Sequence, residues 1–251
     1  MNTAIVEMRR LPGILIRPGN ALFRRRNLIF PVGFVVVMLA GRPRFPFGSQ
    51  HADQWMDAFG VLTMLAGQLI RAMVIGLAYI QRGGKAGRVH AESLVEEGVF
   101  AHCRNPLYLG NILIFLGIFT VVNSWAGWIV GVPAVLFAYL AIVAAEEDFL
   151  RRQFGSRYED YCQRVHRLWP SLRGLRKTAE SFHFNGRRVV RKEYGSTFAW
   201  TTIVLVLLVL ERIANGGAER VRTTWAFYAG AWGLLFMAYL TARFLKKTGR
   251  L

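Results

Sequence analysis

The sequence predicts an all-α fold: a polytopic membrane bundle of about six transmembrane helices with a cytoplasmic amphipathic helix. Three observations predict it. Apolar residues make up 53% of the 251 positions and gather in long runs. Basic residues concentrate between alternate runs, the distribution that membrane proteins show on their cytoplasmic side. One polar segment, 146–170, keeps its large apolar residues at helical spacing.

The runs lie at 27–47, 55–80, 107–122, 125–145, 197–213 and 224–242. A spanning helix needs about 20 mostly apolar residues, and Trp125 to Ala145 provides that length with no charge. The 107–122 run is shorter. Only Asn123 and Ser124 separate it from the next, so the two are expected to form a tight helical hairpin. Pro31, Pro43 and Pro46 interrupt the first run and blur its ends.

With both termini cytoplasmic, the inner segments 1–26, 81–106, 148–196 and 243–251 hold 26 of the 32 Lys and Arg residues, and the outer segments hold 5. Arg71 is the remaining one, inside a span. The formal net charge of +17 is therefore explained by an anionic leaflet, and nucleic acid is not expected as a partner. Cys103 and Cys162 are too few for a disulfide framework and lie on the expected reducing side. The basic first 26 residues are read as a cytoplasmic arm rather than a cleaved secretory signal. The organisation is a basic arm with the first span (1–54), a membrane core (55–172), a basic linker (173–196) and a C-terminal pair of spans (197–251).

Within 146–170, Leu150, Phe154, Tyr158, Tyr161, Val165 and Leu168 form one face, and Arg151, Arg152, Arg157 and Arg164 the other. From the pattern alone this is a helix lying on the membrane surface, with Gly155 able to divide it. The basic linker reads as a solvated connector. Upstream, Arg104-Asn105-Pro106 starts a helix: Asn105 can cap it and Pro106 suits its first turn. The glycines between 83 and 87 lack a phosphate-loop pattern. Glu146 and Glu147 close an apolar run at the end where the helix dipole disfavours negative charge. A cationic ligand would relieve that cost, as would Arg104, Arg151 or Arg152. Arg71 should face the bundle interior, with Glu146 or Glu147 a plausible partner. His51, His166 and His183 read as surface residues, whereas His90 and His102 flank the motif and stay open as cofactor or acceptor contacts. The cysteines have no metal-like spacing, and no metal is expected.

Three stretches together resemble a known family. They are Gly67-x3-Arg71; Leu94-Val95-x2-Gly98-x5-Arg104-Asn105-Pro106-Leu107-Tyr108-Leu109-Gly110; and Glu146-Glu147-x2-Leu150-x3-Phe154-Gly155-x2-Tyr158-x2-Tyr161-x3-Val165-x4-Pro170. The family is that of the isoprenylcysteine carboxyl methyltransferases, itself similar to the phospholipid N-methyltransferases. The resemblance covers about residues 60–172. It implies an integral membrane enzyme that uses S-adenosylmethionine to methylate a lipophilic acceptor, either the carboxylate of an isoprenylcysteine-like compound or a lipid amine. Carried over by position, Glu92, Ser93, Leu94, Val95, Phe100, Asn105, Pro106, Leu107, Tyr108 and Glu146 contact the cofactor. Arg104, Glu147 and Arg71 are the candidate catalytic residues. The chemistry is consistent with this set. Carboxylates suit a sulfonium and an ammonium, and Arg104 or a helix N-terminus suits a carboxylate. Methyl transfer needs positioning more than a strong acid or base.

Three positions depart from the pattern. Asn105 replaces the commoner histidine, Phe100 a frequent tyrosine, and Ile142 an arginine that serves the substrate carboxylate in prenylcysteine enzymes. A sterol-reductase-like enzyme using NADPH and a non-catalytic scaffold with the same core remain as alternatives. The expected partners are membrane lipids and a lipophilic small molecule, with homo-oligomers allowed. The expected location is a bacterial inner membrane.

Overall fold

A computed structural model describes residues 11–41, 48–77, 91, 93–181 and 183–251, apart from the side chains of 177, 179, 181 and 214–223. Helix is the regular secondary structure of the described residues. Helix α1 (Ile16–Ala40) is followed by α2 (Gln50–Leu77), α3 (Pro106–Val122), α4 (Val132–Phe154), α5 (Ser156–Arg164), α6 (Leu175–Ser181) and α7 (Gly186–Lys247). A π-helical turn, Gly127–Gly131, leads into α4.

Four segments are long and apolar enough to cross a membrane: Gln50–Leu77, Gly127–Phe154, Gly186–Ile213 and Thr224–Lys247. Six were expected, and the other two fall short for different reasons. Helix α3 has 17 residues, or about 26 Å at 1.5 Å per residue, against a hydrocarbon core of about 30 Å. Helix α1 starts well before residue 27 and takes Arg17 and Arg24 to Arg26 into its first half, so much of the expected basic arm is itself helical. Apolar side chains such as Leu39, Phe59, Leu62, Leu69 and Phe137 point outward, as lipid-facing residues do.

Glycine packing joins α2 to α3. Gly60 and Gly67 on α2 meet Gly117 and Gly110 on the antiparallel α3. A Cβ on Gly60 would lie 2.7 Å from the Gly117 carbonyl oxygen, and one on Gly67 2.5 Å from that of Gly110. Lipid supplies no hydrophobic drive between helices, so close backbone approach is the source of attraction. Met64, Ile114, Ile118 and Val121 fill the same interface, and Val204 and Leu207 of α7 close it. The tight hairpin expected between α3 and α4 is present. Asn123 ends α3 with φ 43°, the left-handed turn that asparagine tolerates.

Helical bonding runs along all of α7, yet this segment folds back on itself. Phe198 stacks on Tyr239 with ring centroids 4.6 Å apart. Arg212 Nε donates to the Tyr228 hydroxyl at 2.7 Å. Residues 16 apart on a straight helix would be separated by about 24 Å, so the chain reverses between 213 and 224 and its arms lie antiparallel. Gly155, at φ 52°, divides α4 from α5 as expected. The apolar face beyond it is not laid on lipid: Tyr158, Tyr161 and Val165 are buried against Leu94, with Leu150 and Phe154 packed beside them. The basic linker also differs from expectation, because it contains α6 and the first turns of α7.

Replacing Gly110 by leucine would drive a side chain into the stem of Arg71, whose Cγ lies 2.7 Å from the built Cβ. We expect Gly110→Leu to cost about 1–3 kcal/mol or more, read as a lowered melting temperature in detergent. Gly195→Ala, with open space around it, should melt as the parent does.

Candidate active site

A cavity of about 660 Å³ opens where α1, α3, α4 and α7 converge, within the size range of small-molecule sites, about 300–1,000 Å³. The loop before α3 and its first turns supply Phe100, Arg104, Asn105, Pro106, Leu107 and Tyr108. Helix α4 supplies Tyr139, Ile142 and Glu146. Helix α1 adds Arg26, Asn27, Phe30 and Pro31, and α7 adds Ser196 and Ala199. Pro31 has no amide hydrogen, so the Asn27 carbonyl one turn earlier lacks its helical donor at the cavity wall.

The adjacent carboxylates of α4 face different ways. Glu146 turns to the cavity and accepts a hydrogen bond from the Tyr108 hydroxyl at 2.6 Å. Glu147 is 1% exposed and turns away. Arg167 grips it with Nε at 2.9 Å and Nη2 at 3.0 Å. Arg104 and Arg151 each reach it at 3.3 Å. Three guanidinium groups on one buried carboxylate make it a structural anchor. It does not line the cavity, contrary to the placement expected of a catalytic residue. Helix α4 continues two turns past the pair, so the expected dipole penalty at a helix end does not arise. Of the expected arginine partners, Arg104 and Arg151 serve Glu147, while Arg152 pairs with Asp148.

The anchor orients the cavity wall. The Arg104 amide donates to the His166 carbonyl at 3.0 Å, and the Asn105 amide to that of Arg167 at 3.1 Å. Asn105 occupies the cap position, but its side chain also donates to the Arg167 carbonyl, at 3.2 Å, so the expected side-chain cap is absent. His102 is buried in the same clamp, with Nδ1 2.8 Å from the Ser171 carbonyl and Nε2 2.9 Å from the Thr178 hydroxyl. It holds the loop instead of facing the cavity. Arg104 is 8% exposed. With Nη2 on Glu147, its Nε and Nη1 have no hydrogen-bond partner among the described residues.

Arg71 also lines the cavity, but neither expected glutamate is its partner. Its Nε and Nη2 bind both oxygens of Glu193, at 2.8 and 3.1 Å, and Nη1 donates to Asn111 Oδ1. Ser196 Oγ closes the group on Glu193 at 3.1 Å. Glu193 and Ser196 come from the stretch read as a featureless connector. A glutamate directly after the basic run 187–192 was the available signal. Of the other expected cofactor contacts, Leu94 is buried under α5, and neither Ser93 nor Val95 lines the cavity. Glu92 lies outside the described residues. Arg26, Phe30 and Tyr139 were not anticipated.

Removing the anchor should be costly. Glu147→Gln would leave three arginines without their charge partner, and we expect about 3–5 kcal/mol lost in detergent-based denaturation. Glu96→Gln, whose partners Arg157 and Arg164 are largely exposed, should cost under about 1 kcal/mol. Burial pushes the Cys103 thiol up to about 11, against a smaller opposing effect of its hydrogen bond with Asn105 and of Arg104. Folded protein at pH 8 should therefore resist maleimide at Cys103 and react only at Cys162. Mass spectrometry of the labelled peptides reads this out.

Residues 55–157 match the model of the phospholipid methyltransferase family. Protein-S-isoprenylcysteine O-methyltransferase B of Arabidopsis thaliana is 28% identical over 123 residues, 48% of this chain and 61% of the plant protein. The nickel-cobalt-cadmium resistance protein NccN of Alcaligenes xylosoxydans xylosoxydans is 29% identical over 160 residues, 60% of this chain and 67% of that protein. Protein-S-isoprenylcysteine O-methyltransferase of Rattus norvegicus is 27% identical over 124 residues, 49% of this chain and 44% of the rat protein. The chain thus spans less than two thirds of the isoprenylcysteine relatives it matches. No solved structure matches significantly. The matched region contains the α2–α3 glycine crossing, the Arg104 loop and both α4 carboxylates, so the part of the chain that is similar to the phospholipid methyltransferase family is the part that builds most of the cavity wall.

Proposed function

We propose that the chain is an S-adenosylmethionine-dependent membrane methyltransferase acting on a lipophilic acceptor that bears a carboxylate. One observation supports it above others: a single cavity brings Arg104 from the loop before α3 together with the Tyr108–Glu146 pair. The donor set fits the methyl donor. The Arg104 guanidinium in the cavity wall matches an amino-acid carboxylate, and the Glu146 carboxylate matches an ammonium or sulfonium. When bound, S-adenosylmethionine supplies a methyl carbon already activated by its positive sulfur.

The protein's share of the reaction is then placement. Tyr108 donates to Glu146 and fixes the orientation of its carboxylate. Arg104 is held by Glu147 at one nitrogen and stands in the cavity wall. Phe30, Phe115 and Ile142 give apolar walls that exclude water and suit a hydrocarbon tail. Arg26, Arg71 and Arg104 line the cavity beside Glu146, with Arg71 paired to Glu193 and Arg104 to Glu147. A carboxylate acceptor is already ionised at neutral pH, whereas a lipid amine would first have to lose its proton. Ile142 stands where prenylcysteine enzymes are expected to have an arginine, and Arg26 is the cation that enters this cavity from α1. The basic bias of 148–196 and 243–251 supports six crossings with both termini cytoplasmic.

Titrating S-adenosylhomocysteine into detergent-purified protein tests the reading. Binding should weaken at least tenfold, about 1.4 kcal/mol, in Glu146→Ala and in Arg104→Ala, with unchanged elution profile. Intact binding in both folded variants would show that the cofactor site lies elsewhere.

A further inference from the structure

At the opposite end of the bundle from this cavity, three carboxylates meet on two helices. Asp53 and Asp57 occupy successive turns of α2, and Glu211 ends the first arm of α7. One oxygen from each lies within 4.8 Å of the others. Asp53 is 6% exposed and Glu211 5%. Among the described residues, Asp53 Oδ1, Asp57 Oδ1 and Glu211 Oε1 are buried without a hydrogen-bond partner. Buried acceptors left unsatisfied are costly, and like charges this close repel. The neighbouring cation is turned aside: Arg212 donates to the Tyr228 hydroxyl at 2.7 Å and lies over its ring at 5.6 Å. Fully ionised, the three carboxylates carry two more negative charges than Arg212 offsets among the described residues.

We propose that Asp53, Asp57 and Glu211 bind a divalent cation of the oxygen-preferring class, such as Mg²⁺, Ca²⁺ or Mn²⁺. Three carboxylate donors with no histidine or cysteine among them select hard ions. The site is separate from the methyl-transfer cavity. Fourteen residues of α2 separate Asp57 from Arg71, or about 21 Å along the helix. Eighteen residues of α7 separate Glu211 from Glu193, or about 27 Å. The cation would fasten α7 to α2 at one end while the Glu193–Arg71 pair fastens them at the other. Chain separation explains why sequence spacing gave no sign of it: Asp57 and Glu211 are 154 positions apart.

Mn²⁺ is the probe. The detergent-purified full chain is titrated with Mn²⁺, following loss of the free-ion electron paramagnetic resonance signal. We expect one saturable Mn²⁺ per chain, displaced by Ca²⁺ or Mg²⁺, and a raised melting temperature on binding. Asp57→Asn and Glu211→Gln are near-isosteric, and each should weaken Mn²⁺ binding at least tenfold and abolish the thermal shift. S-adenosylhomocysteine binding serves as the fold control and should survive in both. Absence of saturable Mn²⁺ binding to the folded parent overturns the proposal, as does unchanged binding in either variant. If one variant does not fold, the other decides; Asp57 is the less buried of the two.

Discussion

The geometry of the cavity depends on the charge cluster at Glu147. A carboxylate that is 1% exposed could not be tolerated alone. Its three arginines come from three places: Arg104 from the loop before α3, Arg151 from the next turn of α4, and Arg167 from the tail beyond α5. One buried charge therefore joins segments distant in sequence. It also leaves Arg104 with two donors aimed elsewhere. Successive residues of a helix point about 100° apart, so Glu147 can hold the scaffold while Glu146 faces the cavity. The pair divides its work by helical geometry alone.

The α2–α3 crossing supplies the second constraint. Without side chains at Gly67 and Gly110 the helices approach closely, and the space left at Gly110 is filled by the stem of Arg71. The guanidinium then reaches Glu193, so the position of α7 is tied to that crossing. Ser196 and Ala199, only one and two turns further along α7, are carried into the cavity wall by the same tie. A segment outside the family match thus completes a site whose other walls lie mostly within it.

What was legible in the sequence followed from local periodicity. The apolar runs, the Asn123 turn, the Gly155 break and the reversal between 213 and 224 are all set by residues within a few positions. The convergence of Arg104, Asn105, Tyr108 and Glu146 on one cavity was legible only through the resemblance, because spacing cannot bring α3 to α4 at that depth. Pairings were less legible still. Arg71 had two glutamates within the recognised motifs, and the one it binds lies in a basic stretch 122 residues away. The apolar face of 146–168 was visible, but its occupant was not. A stripe of that kind suits lipid or protein equally, and here Leu94 takes it.

The electrostatics of the cavity constrain the acceptor more tightly than its shape does. Apolar walls at Phe30, Phe115 and Ile142 would accept many lipid tails. The head group must instead react beside the Tyr108–Glu146 pair. A protonated amine would first have to lose its proton to become a nucleophile. A carboxylate is already ionised and nucleophilic at neutral pH. In such a site Asn105 need not act as a base: its amide and side-chain nitrogens are both committed to the Arg167 carbonyl. Its role here is to hold the start of α3 against the tail beyond α5. A histidine need not supply a proton acceptor when the acceptor group enters already ionised.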